Sequence, residues 1–132
     1  MGTYEVSVDH RFRARHAVAL GGAWEDSHEH DWSVTATFRS EELEPATGVV
    51  VDFLVVLRAL KAIGGELEGR NLNEIDEMSQ GASAERVAQY IARRLVRALG
   101  SDTGKLYCVC VTEAPGCRAA YYPHPPGDLT LR

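Results

Sequence analysis

The sequence predicts an α+β protein: an antiparallel sheet with two helices packed on one face, in the order β-β-α-α-β-β. Three observations lead there. Apolar and polar residues alternate in two long segments before residue 40. Two central segments instead space their apolar residues as a helix does. Strand-like runs then return after residue 104, on either side of a Pro-Gly turn. Paired strands, then helices, then paired strands favour an antiparallel sheet covered on one side. Its four strands leave two open edges, which must be covered or joined to another subunit.

The first strand runs from Thr3 to Ala17, with Tyr4, Val6, Val8, His10, Phe12, Ala14 and His16 on one face. Gly21-Gly22 opens a loop that lasts to about Ser27. The second strand, from about Glu29 to Arg39, turns Trp32, Val34, Ala36 and Phe38 to one side. Glu41 to Gly48 reads as a charged turn. Asp52 stands at a helix N-cap, ahead of Leu54, Leu57 and Leu60, and Gly64-Gly65 marks a break or fraying end. Arg70 to Gln80 reads as a polar connection. Ser83 caps a second helix whose stripe is Val87, Ala88, Ile91, Leu95 and Leu99, and Gly100 ends it. Lys105–Glu113 and Arg118–Tyr122 are the last two strands, and the Pro-rich tail from Pro123 to Arg132 lies on the surface.

A chain of 132 residues is expected to form one domain, residues 1-132, with no internal repeat. With 45% hydrophobic and 25% charged residues, it is neither disordered nor collagen-like, and three cysteines do not make a disulfide scaffold. A net charge of −5 argues against a nucleic-acid partner, and no apolar stretch is long enough for a membrane span. Cys108, Cys110 and Cys117 read as small buried hydrophobes. With no signal-peptide pattern at the N-terminus, a reducing, cytoplasmic setting is the default expectation.

His16, His28 and His30 are the sharpest feature. Residues two apart on a strand project from the same face, so His28 and His30 can offer both imidazoles to one point. A hairpin brings His16 beside them. Three neutral nitrogen donors with a fourth position open are what a catalytic zinc requires, and Asp26, Glu29 and Asp31 could orient the rings. Exposed loop histidines without a ligand remain the plainer reading of the spacing alone. His10 and His124 have no partner pattern and read as packing or surface residues.

With these residues in view, the chain resembles the 6-pyruvoyltetrahydropterin synthase family, which includes the 6-carboxytetrahydropterin synthases. The pieces occur in order: Phe12-x-Ala14-x-His16, His28-Glu29-His30, Thr47 to Phe53, Leu72-Asn73, Ser83-Ala84-Glu85 and Val111-Thr112-Glu113. The resemblance implies a tunnelling fold whose sheets join neighbouring subunits into a barrel, typically a homohexamer built as a dimer of trimers. It implies active sites between subunits, Zn2+ on His16, His28 and His30, and a pterin-like small molecule as ligand. It also implies that Glu113 anchors the guanidine-like edge of the ring, a role its carboxylate suits because it can accept two parallel N–H bonds. Taken alone, Glu113 reads as a solvated glutamate at a strand end. Ser83 matches a threonine of the family's binding site, although capping alone accounts for it.

The sequence departs from the family where the protons move. The family's cysteine, four residues before the first His of the pair, is replaced by Trp24. Its Asp-His pair ahead of Leu-Asn reads Glu68-Gly69. A metal polarises oxygen but does not supply a positioned proton shuttle, worth ~10²–10⁴-fold. Some relatives use a glutamate for the cysteine and cleave the dihydroneopterin side chain by a retro-aldol route. Glu25, Asp26 and Glu68 are the candidate catalytic carboxylates, against the reading that the first two are solvated loop acids. Asp52 is a cap rather than a catalyst. Two functions compete: a zinc-dependent lyase with altered catalytic residues, and a non-catalytic oligomer that binds a pterin or purine.

Overall fold

The computed structural model describes residues 2–124. Strand β1 (Tyr4–His16) leads through a small hairpin, β2 (Ala19–Leu20) and β3 (Ala23–Trp24), into β4 (His28–Ser40). Helices α1 (Phe53–Leu67) and α2 (Ala84–Leu99) follow, then β5 (Leu106–Ala114) and β6 (Cys117–Tyr121). The four long strands form one antiparallel sheet in the order β1-β4-β5-β6, so β1 and β6 are its open edges. The β-β-α-α-β-β order read from the sequence is the observed one. Of the expected surface tail, only Pro123 and His124 are among the described residues.

Alternation sets the faces. Val8, Phe12, Ala14 and His16 of β1 are buried, and their neighbours in the strand are exposed. Trp32, Val34, Ala36 and Phe38 continue the buried face on β4, and Val109 and Val111 on β5. Phe12 pairs with Trp32 in register and stacks on it with ring centroids 6.1 Å apart. Val56, Leu60, Ile63 and Leu67 of α1 cover this face together with the α2 stripe Val87, Ala88, Ile91 and Leu95. Asp52 caps α1 by accepting the Leu54 N–H at 2.8 Å, and Ser83 caps α2 through the Arg86 N–H at 3.2 Å.

Four local expectations change. Gly64-Gly65 does not end α1: the helix runs on to Leu67, with Gly64 buried where α1 crosses β1. A Cβ at Gly64 would lie 2.5 Å from His10 Cδ2 and 2.6 Å from its Nε2, so the glycine is there to admit the imidazole. The polar connection at 70–80 contains two 3-10 turns that bury Leu72, Ile75 and Met78, a three-residue period hidden among charges. The loop after His16 contains the β2–β3 hairpin, where Gly21 and Gly22 take φ of 61° and 84°, as a two-residue turn between strands requires. The cysteines are not core residues. Cys108 and Cys110 are half-buried on the face turned away from the helices, opposite Thr37 and Thr35, and Cys117 is exposed.

Candidate metal centre and its cleft

The β1–β4 ladder builds the histidine cluster. Its register sets His16 opposite His28 and Ala14 opposite His30. Alternation then turns all three imidazoles to the helix-facing side, next to Ala82 just ahead of α2. The methyl of Ala14 leaves room for the rings, whose centroids lie 4.6 to 5.1 Å apart. Trp32, fully buried, closes the core side of the cluster, edge-on to His16 with centroids 4.9 Å apart.

Hydrogen bonds fix which nitrogens face inward. His16 Nδ1 lies 2.7 Å from the Ala82 carbonyl and His28 Nδ1 lies 2.9 Å from the Asp26 carbonyl. Carbonyls only accept, so both Nδ1 atoms donate and both Nε2 atoms present lone pairs when the rings are neutral. Those two Nε2 atoms face one another at 3.1 Å. Two lone pairs at that distance repel unless a cation lies between them. His30 Nε2 is buried and has no hydrogen-bond partner among the described residues. Burial is the main cause that lowers the His30 pKa; the Glu113 carboxylate pulls it back up, and His28 and His16 push it down. A tetrahedral ion with nitrogen bonds of 2.0–2.1 Å spaces its ligands by about 3.3 Å. Three imidazole nitrogens turned to one point, two of them with lone pairs fixed by the bonds at Nδ1, fit such an ion, and these three ligand atoms lie within 4.8 Å of one another.

Two carboxylates approach the cluster from different sides. Glu113, on β5 and continuing the helix-facing side, has Oε1 3.3 Å from His16 Nε2 and Oε2 3.8 Å from His30 Nε2. Glu25 follows β3 and is tied twice to Val18. Its backbone N–H donates to the Val18 carbonyl at 3.0 Å, and its Oε1 accepts the Val18 N–H at 3.0 Å. That oxygen lies 4.0 Å from His28 Nε2. Asp26 contributes its carbonyl to His28. Glu68 lies at the C-terminus of α1, where its carboxylate accepts the Arg13 N–H at 3.3 Å, with no contact to the cluster among the described residues. Glu29 points to the opposite face of the sheet, where Arg13 holds it at 2.6 Å and Asp31 at 3.3 Å. The hydrogen bond to Glu29, with the charges of Asp31 and Glu29, raises the Arg13 pKa.

A cleft of about 610 Å³ extends from Glu113 and is lined by Val18, Leu20, Ser83, Glu85 and Arg118 among others. Ser83 and Glu113 therefore share one cavity wall. The sequence reading did not assign Asn73 a task. Its side-chain amide donates to the Ala17 carbonyl at 2.9 Å and accepts the Ala17 N–H at 2.9 Å, which holds the chain just past His16. The Leu72-Asn73 pair was the only signal for it. The Ala82 carbonyl had no signal at all, because any residue offers one.

Residues 5–124 match the 6-pyruvoyl tetrahydropterin synthase family. The chain is 32% identical over 91 residues to the dihydroneopterin monophosphate aldolase of Pyrococcus furiosus, covering 69% of this chain and 74% of that protein. The 6-pyruvoyl tetrahydropterin synthase of Caenorhabditis elegans superposes with a TM-score of 0.80 at 19% identity, over 94% of this chain and 98% of that one. A Plasmodium vivax 6-pyruvoyltetrahydropterin synthase, solved with a catalytic glutamate changed to alanine, superposes with a TM-score of 0.76 at 16% identity, over 95% and 100%.

Proposed function

The chain belongs to the 6-pyruvoyl tetrahydropterin synthase family, and from that premise we propose that it is a zinc-dependent aldolase acting on 7,8-dihydroneopterin or its phosphate. His16, His28 and His30 hold the zinc, Glu113 accepts the amino and ring N–H groups of the pterin, and Ser83 lines the same cleft. The single observation that carries the reaction type is the Glu25 carboxylate, 4.0 Å from His28 Nε2 in a loop, 17–27, that holds no cysteine.

Zinc supplies Lewis acidity to the side-chain hydroxyls when bound. Glu25 acts as the general base: it takes the proton of the second side-chain hydroxyl. The bond between the first and second side-chain carbons then breaks, its electron pair passing into the conjugated ring. Glycolaldehyde, or its phosphate, leaves, and the proton returns to the first carbon to give a 6-hydroxymethyl dihydropterin. The Val18 N–H holds Oε1, the oxygen nearest His28 Nε2, and so fixes the carboxylate at the cluster while Oε2 is left for the substrate. The Pyrococcus relative is named as an aldolase, which supports the reaction type, and a glutamate is a catalytic residue of the Plasmodium synthase, which supports a carboxylate in this role. Asp26, whose described contact is through its carbonyl, and Glu68, whose carboxylate is held by the Arg13 N–H, are the lesser candidates.

We also propose that the working form is a homohexamer of two stacked trimers. The open edges β1 and β6 support this, as do the exposed apolar side chains of Tyr4, Phe53 and Leu54. Light scattering at the mass of one subunit would refute it.

The test of function is a product assay on zinc-loaded protein. Dihydroneopterin or its monophosphate yields the 6-hydroxymethyl product, while the triphosphate yields no 6-pyruvoyl product. Glu25→Gln keeps its zinc and loses ~10²–10⁴-fold in kcat. Full turnover by Glu25→Gln, or by chelated enzyme, would sink the proposal. Saturable pterin binding without turnover would instead favour the non-catalytic reading.

A further inference from the structure

Helix α2 carries an arginine-rich stripe in a chain whose net charge is −5. Arg86, Tyr90, Arg93 and Arg97 follow one another at steps of four, three and four residues, which places them on one helix face, with Arg94 beside them. With Glu77 of the second 3-10 turn, they line a recess of about 110 Å³. Packing does not account for the stripe. The ion pair of Arg94 with Glu66 is the only one that the α2 arginines make among the described residues. Arg86 donates to the Gly81 carbonyl at 2.9 Å, which fixes its guanidinium without cancelling the charge, and its place in the first turn opposes the helix dipole. Arg93 and Arg97 lie four residues apart, a spacing at which like charges weaken a helix. Against these three guanidiniums the lining holds one carboxylate, Glu77.

Tyr90 is a second, independent observation. The residue is 6% exposed, and its hydroxyl oxygen accepts from Arg94 Nη1 at 3.0 Å. Its own proton has no acceptor among the described residues. A buried hydroxyl with its proton unspent, beside uncompensated guanidiniums, is equipped to meet an acceptor that carries negative charge. The recess is far smaller than the roughly 300–1,000 Å³ of clefts that take drug-sized ligands, so that acceptor is a small ion or group. Guanidinium forks match the oxygens of phosphate and shed water more readily than an ammonium does. We propose that the recess on α2 binds a phosphate-class oxyanion, as a free ion or as the phosphoryl end of a molecule that otherwise lies in solvent. Arg93 and Arg97 supply the charge, and Tyr90, steadied by Arg94, supplies a neutral donor. The site is separate from the metal and does not depend on the pterin reading. Arg86 lines both the recess and the cleft of Glu113, so the test leaves it intact.

Inorganic phosphate, titrated into the full chain at low ionic strength and followed by phosphorus NMR, should occupy one saturable site. Arg93→Gln combined with Arg97→Gln weakens that site at least ~10-fold, and Tyr90→Phe, which keeps the ring in the core, weakens it roughly 3- to 10-fold. Arg93→Lys combined with Arg97→Lys keeps the charge and recovers part of the affinity, which guards against a folding defect. An open metal position also attracts phosphate. His28→Ala, which breaks the metal site and leaves the recess intact, should therefore bind the ion as the wild type does. Loss of binding in His28→Ala would place the ion at the histidines and overturn the proposal. So would the absence of a saturable site, or equal affinity in wild type and the double glutamine variant. Glycerol phosphate, titrated in parallel, separates the two sources. Binding at least as tight as that of the free ion assigns the recess to a phosphoryl end, and weaker binding assigns it to the ion itself.

Discussion

Replacing His28 separates a metal site from a histidine cluster that merely packs. Its side chain is 39% exposed, and its one fixed bond is to the Asp26 carbonyl. Truncation to alanine in chelator therefore costs under about 1 kcal/mol, as for other partly exposed positions. In zinc the balance differs. Metal at 100 times its dissociation constant stabilises the folded state by about 2.7 kcal/mol. For a chain of 132 residues, an unfolding entropy of ~2.1 cal/mol/K per residue makes each kcal/mol worth about 3–4 °C. Zinc should then raise the wild-type Tm by about 10 °C and leave His28→Ala unmoved. His16→Ala behaves differently: the ring is 1% exposed and bonds the Ala82 carbonyl. Its loss costs about 3 kcal/mol even in chelator, from the cavity and the unpaired carbonyl. Thermal unfolding by circular dichroism, with chelator or with excess zinc, checks all three proteins. Equal zinc shifts in wild type and His28→Ala would refute the reasoning.

Asn73→Ala removes both bonds to Ala17 and should cost about 1–3 kcal/mol, with zinc bound ~10-fold more weakly because His16 loses its support. Chelator competition measures the second effect, and unchanged affinity would confine Asn73 to the scaffold. Alkylation at pH 8, read by peptide mass spectrometry, should label exposed Cys117 first and Cys108 last. Burial foremost raises the Cys108 thiol pKa, against a hydrogen bond with Thr37 that lowers it. The unfolded chain therefore releases this proton before the folded one does. Stability from Cys108 is present below the ordinary thiol range and is lost as pH rises through it, which urea unfolding at pH 7 and pH 10 would register.

The elements that alternate over many residues were legible. A period of two over β1 and β4 fixes face and pairing together, so the meeting of His16, His28 and His30 followed from the sequence once a hairpin was assumed. What escaped were features whose cause lies elsewhere in the chain. Gly64-Gly65 looks like a helix end, and only the His10 imidazole across the gap explains why glycine sits in mid-helix. Leu72, Ile75 and Met78 are three apolar residues among eight others, too sparse to reveal a buried turn. Cys108 and Cys110 look like core residues by type, and the sheet face that Val109 and Val111 take decides otherwise. At the site, sequence set Glu25, Asp26 and Glu68 side by side as acids. The bonds between Val18 and Glu25 depend on how the β2–β3 hairpin closes, and with them one of the three carboxylates lies beside the ring of His28.

The ladder that sets His16 against His28 has a consequence for how such a site can diverge. The spacing of the three rings is dictated by pairing between strands, and the connection between those strands, 17–27, adds only the Asp26 carbonyl that orients the His28 ring. That connection carries Trp24 and Glu25. It can therefore be lengthened, shortened or recoded while the ligands stay where they are. Change inside β4 is unforgiving by comparison, since one inserted residue would exchange His28 and His30 for Glu29 and Asp31 on the inner face. Under the proposed function, the fold would hold the metal in a rigid part and the acid–base group in a replaceable one, an arrangement under which reactions can be swapped without rebuilding the centre that serves them.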